Sequence, residues 1–166
     1  MKINKLIVPF ICLLLLISYK SYSQGTGVSP LLLNSEQPIY CEGTDYDGSQ
    51  FLRVIGKGKN LKEAQRDANK KAVNATIFTG IRDGKEGCSV KPLLNTANAR
   101  EKYSTYFNRF FSNHGLYKKF VKTDHVVNKP PKKISSKGKN KIYSMIVVVN
   151  SPKLLGELRQ KGIVPR

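Results

Sequence analysis

The chain has 166 residues, and its 29 lysines and arginines against 11 acids give a formal net charge of +18. The first 23 residues hold three of those lysines and no acid; the remaining 143 carry +15 and suffice for one domain burying roughly 70% of its unfolded surface. No apolar run beyond them approaches the roughly 20 residues that span a bilayer, which excludes a helical membrane protein.

Residues 1–23 read as a secretory signal peptide. Lys2 and Lys5 form the charged start, residues 6–17 the uncharged apolar core, and Ser21-Tyr22-Ser23 places small residues where a signal peptidase inspects them. Cleavage is expected before Gln24. Cys12 lies inside the apolar run rather than at its end, so lipidation is not expected. These features predict a soluble, exported protein, in the periplasm or at the cell surface.

Residues 24–49, rich in Gly, Ser, Pro and Asp, predict an irregular N-terminal segment, followed by a single α+β domain over 50–166. Residues 50–58 read as a first strand that breaks at Gly56 or Gly58. A helix over 60–78 follows. Asn60 is its N-cap, Glu63 completes a capping box, and Ala64, Ala68, Ala72 and Ala75 recur at helical spacing before Gly80 stops it. Residues 83–95 are loop-like around Cys88. A second helix is expected over 97–112, where Tyr103, Tyr106, Phe107, Phe110 and Phe111 make an aromatic stripe that reads as core.

Two strands are expected at 121–128 and 141–150, the second with a β-branched run at 146–149. Between them, 129–141 holds six lysines and no acid, and predicts an exposed hairpin loop. Ser151 and Pro152 start a last helix, which Gly162 ends. The order β-α-loop-α-β-β-α predicts an α+β two-layer sandwich: a small, mainly antiparallel sheet covered by about three helices.

Cys41 and Cys88 are the two cysteines left in the mature chain. In an oxidising compartment an even pair points to one disulfide, worth about 3 kcal/mol through the unfolded state; the alternative is two buried thiols. Both neighbour turn residues, which favours the bond. With His114 and His125 they lack the clustered spacing of a zinc site, so no metal and no cofactor is expected.

The stretch "VIGKGKNLKEAQ" (54–65) resembles a nucleotide loop only in outline. A P-loop needs Gly-Lys-Ser/Thr after a longer glycine spacing, but Gly58-Lys59 follows Gly56 by two residues and Asn60 comes next. A dinucleotide fingerprint fails at Leu61. A relaxed anion site at this helix start, with Lys57 and Lys59, stays physically open. There is no G-x-S-x-G elbow and no H-E-x-x-H helix.

The basic excess is the remaining signal. Lys57 and Lys59, with Lys129, Lys132, Lys133, Lys137, Lys139 and Lys141, are candidate contacts for an anion. Solvated lysine faces are the bland reading. The functional one is attraction to anionic lipid head groups, lipopolysaccharide phosphates or an acidic envelope protein. Export and core-facing aromatics argue against nucleic acid.

At 54–81 a strand ending V-x-G-x-G, an alanine-stepped helix and "FTGI" resemble the small β-α-β-β domains of exported bacterial lipoproteins and of a periplasmic flagellar assembly protein. With "PLL" (92–94), "YFNRFF" (106–111) and the terminal "VVVN", the mature chain also resembles a family of exported Bacteroidota proteins that carries no assigned activity. The resemblance implies a non-catalytic, envelope-associated domain and transfers no active site. The expected function is therefore binding, as an accessory or component of a cell-surface assembly. The alternative is a small-ligand protein or hydrolase using the 83–95 loop and the start of the first helix.

Overall fold

A computed structural model describes residues 38–123 and 130–165. The expected signal peptide, most of the 24–49 segment, residues 124–128 of the strand expected at 121–128, His125 and Lys129 lie outside the described residues.

The fold is α+β in two layers. β1 (Tyr40–Thr44) and β2 (Ser49–Gly58) form a hairpin, and α1 (Leu61–Asn74) follows immediately. A five-residue π-helical turn (Ala75–Thr79) leads to β3 (Asp83–Gly84). Two short helices, α2 (Ala99–Lys102) and α3 (Ser104–Phe110), and a 3₁₀ turn (Leu116–Lys119) precede β4 (Val121–Thr123). β5 (Lys132–Lys137), β6 (Asn140–Asn150) and α4 (Ser151–Gln160) complete the chain. The strand order is β3-β1-β2-β6, with β4 and β5 sharing the far side of β6; every pairing is antiparallel except β1 with β3.

Alternation along β2 assigns the two faces. Leu52, Val54, Gly56 and Gly58 are buried under helices, and their β6 partners Val147, Met145 and Tyr143 belong to the same core. Every described helix feeds this side: α1 through Ala64, Ala68 and Ala72, α3 through Phe107 and Phe110, α4 through Leu154 and Leu158. Alanine is what lets α1 lie close, and the glycines opposite complete the approach. A methyl group on Gly56 would overlap the Ala64 carbonyl oxygen and lie 2.9 Å from its carbon; one on Gly58 would lie 2.5 Å from the Ala64 nitrogen.

The start of α1 follows the expected chemistry with one shift. Asn60 Oδ1 accepts from the Glu63 N–H at 2.9 Å, but Glu63 Oε2 accepts from Lys59 N–H, also at 2.9 Å, rather than from the cap residue itself. At the other end the helix widens: the Gly80 N–H reaches back to the Ala75 carbonyl at 2.8 Å, and the Thr76 hydroxyl donates to the Ala72 carbonyl at 3.0 Å. Gly80, at φ 70°, then turns the chain away.

Four expectations are corrected. Tyr40–Thr44 inside the supposedly irregular segment is a strand, because Cys41 is buried against the sheet in register with Leu52. The aromatic helix is two short pieces, broken at Tyr103 where ψ is 29°. The lysine-rich 129–141 stretch is not a loop: 132–137 forms β5, joined to β6 by a tight turn at Gly138-Lys139. Its composition reported exposure correctly, but an outer strand is exposed too, and lysine and serine are tolerated there. Finally, Asn150 caps the last helix, accepting from the Lys153 N–H at 2.9 Å, while Ser151 turns to donate to Gln50 Oε1 at 2.6 Å.

The aromatic stripe packs as core. Phe78 meets Phe107 edge-on with ring centres 4.8 Å apart, and Phe110 stacks on Phe120 at 6.0 Å. Tyr106 lies among these rings with its hydroxyl buried and without a hydrogen-bond partner among the described residues. Burial, with Glu157 nearby, pushes its pKa from 10.0 to about 12. The folded state therefore holds the phenolic proton longer than the unfolded chain does. Stability should be level below about pH 10 and fall as pH climbs towards 12. Tyr106→Phe should remove the latest step of tyrosine ionisation in an alkaline absorbance titration. At neutral pH it should leave stability unchanged or slightly higher, since a buried orphan hydroxyl goes with it. Unchanged alkaline titration in the variant would refute this.

Candidate functional site

The opposite face of the sheet carries the site. The odd residues of β2 point to it, Phe51, Arg53, Ile55 and Lys57, and their β6 partners are Val148, Ile146, Ser144 and Ile142. Lys122 of β4 stands beside Val148, and Lys132 of β5 beside Ser144. Ile142, Ile146 and Val148 lie on this face, outside the helix-covered core, and are themselves buried, at 9%, 5% and 6% exposure, beside the half-buried Phe51 and Ile55. The result is an apolar row flanked by cations.

Two clefts cut this face. One, of about 670 Å³, has Ile146 at its floor and Arg53, Pro130, Pro131 and Lys132 on its walls. Arg53 pairs with Glu42 and lies over the Tyr40 ring, 5.4 Å from its centre, so its charge is partly answered. The other, of about 580 Å³, lies at the β4 end over Phe51, Phe120 and Val148. Lys118 and Lys119 from the 3₁₀ turn, Lys122 from β4 and Lys153 from the first turn of α4 rim it, facing Asp45 and Asp47.

Both acids serve the β1–β2 turn. Asp45 Oδ1 accepts from the Tyr46 N–H and Asp47 Oδ1 from the Ser49 N–H, each at 2.8 Å, and Asp47 Oδ2 accepts from Asn150 Nδ2 at 3.3 Å. The Ser49 bonds hold the Asp47 pKa below its usual value, with smaller help from Lys153 and Lys122. Those two ammonium groups thus act on the same spot although their residues are distant in sequence.

The lysines singled out from the sequence do not form one patch. Lys57 and Lys132 share the face just described, whereas Lys133 and Lys141 project from the helix-covered side and Lys139 sits in the hairpin turn. Lys137 ends β5. At the start of α1 the chain's own carboxylates take the role of an anion: Glu63 receives the Lys59 N–H and Asp67 Oδ2 the Lys57 N–H, at 2.9 Å each.

The 83–95 loop does not meet that helix start. Leu93 and Leu94 donate to the carbonyls of Thr76 and Ile77, at 3.0 and 2.8 Å, at the far end of α1. At 1.5 Å per helical residue the two regions are roughly 20 Å apart. The loop is held instead by Cys88, disulfide-bonded to Cys41 with Cα atoms 5.7 Å apart. Among the described residues no group of three or more His, Cys, Asp or Glu side chains is placed to hold a metal ion, and no helix is long and apolar enough to cross a membrane.

Fold and face together define a small α+β domain with one sheet face clad in helices and the other presenting apolar clefts rimmed by lysine. Comparison of the chain with protein families, curated proteins and solved structures returned no match.

Proposed function

We propose that the mature chain is an exported, non-catalytic binding or accessory protein of the cell envelope, a component of a cell-surface assembly, working through the second face of its sheet. The observation that carries this reading is the row of Phe51, Ile55, Ile146 and Val148 flanked by Lys57, Lys122 and Lys132. The half-buried Phe51 and Ile55 offer apolar contact, and a rim with a surplus of positive charge selects anionic partners and raises their encounter rate. The signal-peptide features of residues 1–23 and the resemblance at 54–81 support an envelope setting.

A photo-crosslinking residue at position 132, in the full chain expressed in its own host, should give adducts in the envelope fraction. The same probe at Glu101, an exposed residue of α2, should give none. Equal adducts at both positions would sink the reading, as would a cell-derived protein whose mass retains Met1.

A further inference from the structure

We propose that the cleft at the β4 end of the second face binds a phosphorylated amphiphile, a phosphate ester carried on an apolar chain. The inference rests on the envelope-binding reading and names the ligand class for one end of that face.

Four lysines line the cleft from three elements, Lys118, Lys119, Lys122 and Lys153, and two of them, Lys153 and Lys122, act on the Asp47 carboxylate. Among the described residues none of the four enters an ion pair. Asp45 and Asp47 oppose them, but their oxygens already accept turn hydrogen bonds, and the rim keeps a formal surplus of two positive charges over the two acids. All four cations are lysine and none is arginine. Lysine binds phosphate as a compact point charge, without the fixed fork of a guanidinium.

The floor states the other half of the ligand. Phe51, half-buried, and the edge of Val148 are the cleft's apolar lining, which a bare phosphate would not contact; Phe120 borders the cleft too but stacks its ring on Phe110 in the core. A space of about 580 Å³ accommodates a head group and the first methylenes of a chain, within the ordinary size of ligand clefts. Phosphate meets the lysine rim while the chain lies over Phe51 and Val148.

The test is calorimetric titration of the mature protein with three soluble probes: dihexanoyl phosphatidic acid below its micellar concentration, dihexanoyl phosphatidylcholine, and inorganic phosphate. The phosphatidic acid should bind, and the other two should bind at least about tenfold more weakly, one for lack of net charge and the other for lack of a chain. Lys122→Glu/Lys153→Glu should weaken phosphatidic acid at least about tenfold. Lys133→Glu/Lys141→Glu, the same change of charge on the helix-covered side, should not.

Equal weakening by both double variants overturns the site. Inorganic phosphate binding as well as the amphiphile overturns the ligand class, and no binding of any probe overturns both. Crosslinking at position 132 that survives such a failure would leave the envelope-binding reading standing without this cleft.

Discussion

Gly56→Ala should lower the unfolding free energy by about 3 kcal/mol or more in a urea titration, the upper end of what overpacking costs in a core. The added methyl group would overlap the Ala64 carbonyl oxygen and press on Ala68 Cβ at 3.0 Å. Backbone cannot rotate out of the way as a side chain does, so α1 must lift from the sheet. Lifting it loosens Ala64, Ala68 and Ala72 together, all fully buried. Gly156→Ala is the matched control. It adds the same atoms in the interior of α4 with nothing within 4 Å, and should gain about 0.5–1 kcal/mol from helix propensity. A Gly56→Ala protein as stable as the parent would show that the helix is not seated as described.

The second large effect belongs to the disulfide. Cys41→Ala/Cys88→Ala should cost about 3 kcal/mol, because the bond closes a separation of 47 residues in the unfolded chain. Some of the loss should be local, since Cys41 anchors β1 and Cys88 the loop that follows β3. Reductant should destabilise the parent by a similar amount and leave the double variant unaffected. Parent protein that alkylates at both cysteines without reduction, and unfolds identically with and without reductant, would refute the assignment.

What could be read in advance was the chemistry that neighbours in sequence settle between themselves. The Asn60 cap, the alanine spacing of α1 and the stop at Gly80 are local, and each is where the residues placed it. The two-layer α+β architecture followed from counting such elements. Gly56 and Gly58 were visible as breakers, but their reason is the backbone of a helix lying across them, which only packing reveals.

The cleft was out of reach for the same reason. Lys118, Lys119 and Lys122 are neighbours in sequence, but Lys153 lies 31 residues on, and it joins them because β4 pairs with the end of β6 from which α4 departs. The visible run, 129–141, misled in the opposite direction. Alternation along β5 sends its lysines to both faces, so a dense stretch of charge becomes two sparse ones.

β5 itself has a consequence for how copies of this protein meet. Among the described strands it pairs only with β6, so with respect to the described residues its outer margin is a row of peptide groups on which another extended chain could add. Lys132 and Lys133 stand on opposite faces of that margin, and Pro130 and Pro131, which have no N–H to offer, come just before it. Two molecules approaching margin to margin bring like charges together before any peptide bond can pair. The guard is only as long as the screening distance, roughly 30 Å in 0.01 M salt and 3 Å in 1 M. Self-association should therefore be held off in dilute buffer and released by concentrated salt, or by acetylation that neutralises the two lysines.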